Sequence, residues 1–483
     1  MRFLFCCEFY HPSVGGVQEV MRQIAEGLVR RGHSVTVATT RLANRTSCEL
    51  NGVRIEEFGV MGNFAGGISG EVERYREYVL KADVDAIMIK AAQQWTFDAL
   101  WPVLPGIKAR KVFIPCGFSG LYFPSFAEYF KKLPDILRLF DHLIFYATRY
   151  RDIEFARTHG IKHFSIIPNG ASEVEFAAPV DPLFRSRHNI PEDSFIFLTV
   201  GSLTGAKGHL EIAQAFARMD TGGRKAVLIL NGNIPVSPQV VGVAGDSITE
   251  KPSVFIKADQ CGSGRIPCAR ELMEAVCSRG CAFWGKVSSA MQLMCRAFKI
   301  AINEGWHGVE NRLVLIFTGR KLEGLPSLAL KLIPQRWINP LGYWIKQSNK
   351  QPCKRAITSD LPRPELIQAF KNADLFVFAS NIEYSPLVLF ESAAAGTPFL
   401  TVPVGNSEEI AEWTGGGIIC PASIEKNGIT RVCPEVLAAE MQKAMGSPLL
   451  LAQLGRMGHE QWKQRFTWSH LVCLYEEILC KPS

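Results

Sequence analysis

The chain has 483 residues, 47% hydrophobic and 20% charged, with a formal net charge of +7. That balance excludes default disorder and places the chain among globular proteins of about two to four domains. No apolar run reaches the roughly 18 to 20 residues of a membrane span, and Glu8 follows the opening MRFLF too soon for a signal peptide, so a cytoplasmic location is expected.

In chain order, a short apolar strand from Arg2 to Cys7 leads through a turn into a helix. Its apolar positions Val17, Val20, Met21, Ile24 and Leu28 recur at helical spacing, and Gly32 closes it. Ser34 to Ala38 follows as a strand, so the unit is strand, helix, parallel strand with a right-handed crossover. Strand-like runs recur at 85–91, 111–116, 142–148 and 164–170 with helix-length spacers. Residues 1–178 therefore read as one doubly wound α/β domain. The stretch 179–193 reads as a linker. A second series of strands runs at 195–201, 225–232, 356–360, 375–380, 399–405 and 416–420, with helices at about 208–219, 364–372, 386–395 and 434–446. These build a second domain over 190–458.

Between 233 and 355 the alternation stops, and the spacing predicts a mainly helical insertion with its best helix at 287–303. Residues 251–355 hold 17 Lys or Arg against 6 Asp or Glu, a net of +11, while the rest of the chain is net −4. A basic balance confined to one segment points to a local anionic partner, such as a membrane surface or charged acceptor, and not to nucleic acid. Two segments combine aromatic residues with lysines as a headgroup interface would: Phe123 to Phe140, and Leu328 to Lys346. The protein is accordingly expected to be cytoplasmic and peripheral on the inner face of a membrane. The 14 cysteines are scattered and read as reduced thiols. The cluster Cys261, Cys268, Cys277, Cys281 and Cys295 lacks the paired spacing of a zinc site, and no metal is expected.

Ligands of such sheets bind at the carboxyl ends of the strands, so the loops after Cys7, Gly201, Leu230, Ser380 and Val404 carry the chemistry. The first contains Gly15 and Gly16 at a helix start, where backbone can approach a phosphate or sugar. It lacks the third glycine of a dinucleotide fingerprint. Gly201-Ser202-Leu203-Thr204-Gly205-Ala206-Lys207-Gly208 sets a lysine between glycines, placed to meet a diphosphate as a point charge. In 381–396, Ser385 is a predicted N-cap, Pro386 suits the first helical position and Gly396 ends the helix. Glu383 lies at the helix mouth. Glu391 sits on the second turn among Leu389, Phe390 and Ala393, where a carboxylate needs hydrogen bonds such as those of ribose hydroxyls.

These residues, with Pro12-x-x-Gly15-Gly16, IIPNG (166–170), the Glu383-x7-Glu391 pair and Gly405-Asn406-Ser407-Glu408-Glu409, carry a resemblance. The chain resembles the retaining GT-B glycosyltransferases of the family-4, group 1 kind. The resemblance implies two Rossmann-like domains facing a cleft, the first on the acceptor side and the second binding the donor, with a final helix (about 460–480) packed back on the first. It assigns Lys207 to the donor diphosphate, Glu383 to the transferred sugar and Glu391 to the ribose. Tyr384, Ser385, Pro386, Leu387 and Val388 face the phosphates, and Gly15, Gly16 and Ser202 complete the donor site. Lys207 and Glu383 are the expected catalytic pair. The implied substrate is a nucleoside-diphosphate sugar, the acceptor a carbohydrate or lipid-linked hydroxyl, and no cofactor is implied. Two positions depart from the family: Ser202 stands where an arginine is common, and Cys116 where many members have a histidine. A sugar-nucleotide epimerase of the same architecture and a catalytically weak sugar-nucleotide-binding protein are the competing expectations.

Overall fold

The structure, a computed structural model, describes residues 1–234, 239–241, 247–249, 339–425 and 427–481. The chain divides into two compact units, one of Met1–Lys251 with Ser348–Ser483, the other of Pro252–Gln347. Most of the second unit lies outside the described residues, and with it the expected helix at 287–303 and the cysteine cluster 261–295. The parts of 233–355 that are described include an antiparallel pair, Gln239–Val241 with Ser247–Thr249, and a helix, Pro340–Ser348.

Two parallel sheets organise the first unit. In space, the N-terminal one runs Phe164–Ile166, His142–Phe145, Arg110–Ile114, Ala86–Lys90, Arg2–Cys6, Ser34–Thr40, Val53–Phe58, with Glu49–Leu50 antiparallel at the edge. Its central strands, Arg2–Cys6, Ala86–Lys90 and Arg110–Ile114, are buried on both faces, as a sheet covered on both sides requires. Alternation sends Leu4 and Cys6 into one core and Phe3 and Phe5 into the other. The first core holds Tyr75, Trp95, Phe97, Phe113, Tyr129 and Leu133. The second is closed by the helix Gly16–Arg30 and by the last helix, Trp468–Leu479. Gly27 permits that contact, since a Cβ there would lie 2.5 Å from Val472 Cγ2. Arg31 and His33 bind Glu476, and Arg110 Nε donates to the Ile478 carbonyl at 2.8 Å.

The second sheet runs Lys354–Ser359, Ala226–Asn231, Phe195–Val200, Leu375–Phe378, Phe399–Thr401, Gly417–Ile419, every pair parallel. Numbered along the chain, this is the order 3-2-1-4-5-6 of a doubly wound nucleotide-binding sheet.

The structure corrects one expectation here. Phe123 to Phe140 does contain a helix, Ala127–Leu137 with Pro134 inside it. Its apolar residues Tyr129, Phe130, Leu133 and Leu137 are buried in the first core, so they are not available to a membrane. Leu328 to Lys346 falls mainly outside the described residues. Among the described residues no helix is long and apolar enough to cross a membrane.

Candidate functional site

Strand order in the second sheet reverses between Phe195–Val200 and Leu375–Phe378. The two loops that leave this switch point contain Lys207 and Glu383. They meet although 176 residues separate them. Lys207 Nζ forms an ion pair with Glu383 Oε1. Ser380 Oγ lies 3.2 Å from the same carboxylate oxygen and 3.1 Å from the Ala206 carbonyl, and the Asn381 amide donates to Ala206 O at 2.8 Å. Gly208 lets the lysine loop lie this close. Its φ is +75°, and a Cβ would stand 2.0 Å from the Ala379 carbonyl oxygen. Ser202 is in the same loop, partly exposed.

Above the pair opens the helix Leu387–Ala395. It starts one residue later than predicted. Pro386, with φ −70° and ψ 116°, is the N-cap and not the first helical residue, and among the described residues no side chain caps the helix. Ser385 does not serve as the cap. Its hydroxyl is buried without a hydrogen-bond partner among the described residues. The uncapped first turn presents amide dipoles beside Lys207, an arrangement suited to an anion. On the second turn, Glu391 is paired: Arg363 Nη2 donates to its Oε1 at 2.6 Å. The same nitrogen donates to Glu175 Oε2 at 2.7 Å. The two carboxylates hold the Arg363 guanidinium well above its ordinary pKa, against the opposing effect of burial.

The first sheet contributes the opposite wall. Gly16 faces the helix mouth, and a Cβ on it would be 3.7 Å from Leu387 Cδ1. The Tyr384 ring lies between Tyr146 and Tyr150, at centroid distances of 5.5 and 4.8 Å. Its hydroxyl accepts from the Tyr146 amide at 2.9 Å and binds Asp152. The side chain of Tyr384 is thus committed to joining the two sheets. Tyr150 Oη donates to the Glu383 carbonyl at 2.7 Å, and Asn169 Nδ2 to the Ser385 carbonyl at 2.9 Å. Glu409, also buried, accepts the Thr148 and Arg149 amides, each at 2.7 Å. The segment 383–385 is therefore held from both sides.

Strain is concentrated on this wall. Ala91, Gln93, Cys116 and Phe118 have φ values of 71°, 65°, 60° and 50°, all in two adjacent loops at the carboxyl edge of the sheet. Such residues persist where surrounding structure over-determines them, and they cluster at functional sites. Burial pushes the Cys116 thiol up to about 11. Burial also lowers Lys90, beneath the Tyr146 ring, to about 8. Asp83 and Asp85 lie at the opposite edge, where both bind Arg2. A hollow of about 470 Å³ lined by Arg74, Tyr78 and Asp83 is also at that edge, away from the Lys207–Glu383 pair.

Burial raises Asp152 from the usual carboxylate range to about 6, against the opposing hydrogen bonds from Tyr384 and the Gly117 and Ile153 amides. The folded state thus binds this proton more tightly than the unfolded chain. Stability from the group is fully present below the unfolded pKa and is lost as pH rises toward 6. Wild type should therefore gain stability relative to Asp152→Asn as pH falls from 7 to 4, read from urea midpoints at each pH. A difference independent of pH would show that Asp152 titrates normally.

Arg363, Glu175, Asp152, Tyr146 and Tyr150 were not singled out in the sequence. For Arg363 one sign was available, a cation at the first position of a helix, Arg363–Asn372, where it opposes the macrodipole.

Residues 353–446 match the family model described as glycosyl transferases group 1. Over 118 residues the chain is 30% identical to a D-inositol 3-phosphate glycosyltransferase of Jonesia denitrificans, an alignment spanning 24% of this chain and 26% of that relative. Among solved structures, sucrose-phosphate synthase from Thermosynechococcus elongatus superposes with a TM-score of 0.61 at 15% identity, covering 99% of this chain and 98% of that one. HepE of Anabaena, solved with UDP and glucose, gives 0.58 at 14% identity over 99% of both chains. WaaG, a glycosyltransferase of lipopolysaccharide biosynthesis, gives 0.55 at 14% over 99% and 100%. The fold is GT-B, and the resemblance to the group 1 glycosyltransferases holds.

Proposed function

We propose that this chain, a GT-B fold with a group 1 region at 353–446, transfers a sugar from a nucleoside diphosphate to a hydroxyl acceptor with retention at the anomeric carbon. The observation that carries the reading is the meeting of Lys207 and Glu383 at the uncapped mouth of the helix Leu387–Ala395. Lys207 and the first amides of that helix would take the diphosphate, Glu383 the sugar hydroxyls and Glu391 the ribose. Ser385, with its unpartnered hydroxyl, would face the phosphates with Pro386, Leu387 and Val388. A donor entering the site displaces the lysine from Glu383 and frees both for the ligand. As the anomeric bond breaks, charge builds on the leaving phosphate, where Lys207 and the helix amides stabilise it. The acceptor then attacks the oxocarbenium-like centre from the same face. Water must be excluded, a task for closure of the two sheets on the donor.

A screen of sugar nucleotides for thermal stabilisation, followed by assay with and without acceptor, tests this. One donor should stabilise the protein and be consumed with an acceptor present, and activity should persist in EDTA. The UDP complexes of HepE support a nucleotide-sugar donor and place UDP-glucose first in the screen. Donor isomerised without acceptor would mark an epimerase, and binding without turnover a binding protein. A strict divalent requirement would overturn the metal-free scheme. An anionic membrane surface near the acceptor rests only on the basic balance of 251–355. Co-sedimentation with anionic vesicles that weakens as salt rises would support it.

A further inference from the structure

A carboxylate in an apolar helix needs hydrogen bonds, and Glu391 receives one from Arg363 at its Oε1. Among the described residues no other hydrogen bond reaches that carboxylate. An ionised carboxylate is an acceptor at both oxygens, so Oε2 is left for a donor group from outside the protein. Arg363 is itself fixed. It stands between Pro362 and Pro364 at a helix start, and its guanidinium lies 6.0 Å from the centre of the Phe176 ring. With Nε and Nη2 it grips both oxygens of Glu175, at 3.1 and 2.7 Å. Glu175 lies in Glu173–Phe176, within the stretch that leads from the first sheet to the second. That stretch is tied down elsewhere: Glu173 Oε2 accepts the Trp468 amide at 3.0 Å, and the Ala171 amide donates to Phe466 O at 3.1 Å.

We propose that Arg363 is the positioning residue for Glu391, aiming its carboxylate at the ribose diol, and that its grip on Glu175 couples nucleoside occupancy to the segment joining the two sheets. The proposal rests on the donor-site reading above. The two-point grip on Glu175 fixes the orientation of the guanidinium whose Nη2 also binds Glu391, which lysine in its place would not reproduce fully. A ribose that pulls on Glu391 shifts the one cation shared with Glu175. The strain passes to 169–176 through the Arg363–Glu175 pair.

The test is calorimetric titration of wild type, Glu391→Gln, Arg363→Met and Arg363→Lys with UDP, GDP and ADP and the 2′,3′-dideoxy form of each. Wild type should prefer the ribonucleotide by about tenfold or more, the discrimination expected of a hydrogen bond to a charged group. Glu391→Gln should lose most of that preference. Arg363→Met should lose it too, and Arg363→Lys should retain part. Hydrogen exchange at the amides of 169–176 should slow when the ribonucleotide binds wild type and stay unchanged when it binds Arg363→Met. If Arg363→Met or, where that variant does not fold, Arg363→Lys weakens both forms equally and keeps the full preference, Arg363 does not position Glu391 and the inference falls. If Glu391→Gln keeps the preference, or none of the three diphosphates binds, the donor-site reading itself is wrong.

Discussion

Lys207→Ala should lower kcat by about a hundredfold or more, with a much smaller change in donor KM, in an assay of donor consumption with acceptor present. The split follows from where charge appears. In the proposed site a ground-state diphosphate would already be held by the helix mouth, and the further negative charge that builds as the glycosidic bond breaks would meet Lys207. The loop offers no second cation, since Lys207 is the only Lys or Arg between 201 and 209. Removing the amine also leaves Glu383 without its ion-pair partner. Glu383→Gln in the Lys207→Ala background should therefore recover stability but not turnover. Circular dichroism and urea midpoints of the variants separate a lost charge from a lost fold. A kcat near that of wild type would remove Lys207 from the reaction.

Much of the architecture is readable because the strands of a doubly wound sheet are buried on both faces. Runs such as Phe195–Val200 and Ala226–Asn231 are continuous apolar stretches ended by glycine or asparagine, and the loops after them can be located to a residue or two. Lys207 and Glu383 stand out for the same reason, as charges at such loop positions. What could not be read is contact across long separations. Tyr384 looks like a ligand-facing residue at a helix mouth, yet Tyr146 and Tyr150, more than 230 residues away, enclose its ring. Helical periodicity in Ala127–Leu137 gives an apolar face without saying what covers it, and the core covers it. The cap was misplaced by one residue because Ser-Pro fits two readings, serine as cap or proline as cap, and the extended ψ of Pro386 decides for the second.

Glu391→Ala should lower kcat/KM for the donor by about a hundredfold, mostly through KM, the reverse of the Lys207 split. Ribose lies away from the breaking bond, so its hydrogen bonds are equally strong in the ground and transition states and appear as binding. Two losses add. The diol would lose its acceptor, and Arg363 would be left with Glu175 alone. The fold should survive, because the guanidinium keeps one carboxylate and the helix Leu387–Ala395 gains alanine, the residue most favourable to helix. Product inhibition gives an independent reading. The free nucleoside diphosphate shares the ribose but not the sugar, so its inhibition constant should rise by the same factor as KM. A variant whose KM rises while that constant stays fixed would place Glu391 at the sugar and not at the ribose. A variant with an unchanged KM would take Glu391 out of the donor site and leave its pair with Arg363 as a purely structural link between the helix Leu387–Ala395 and the segment around Glu175.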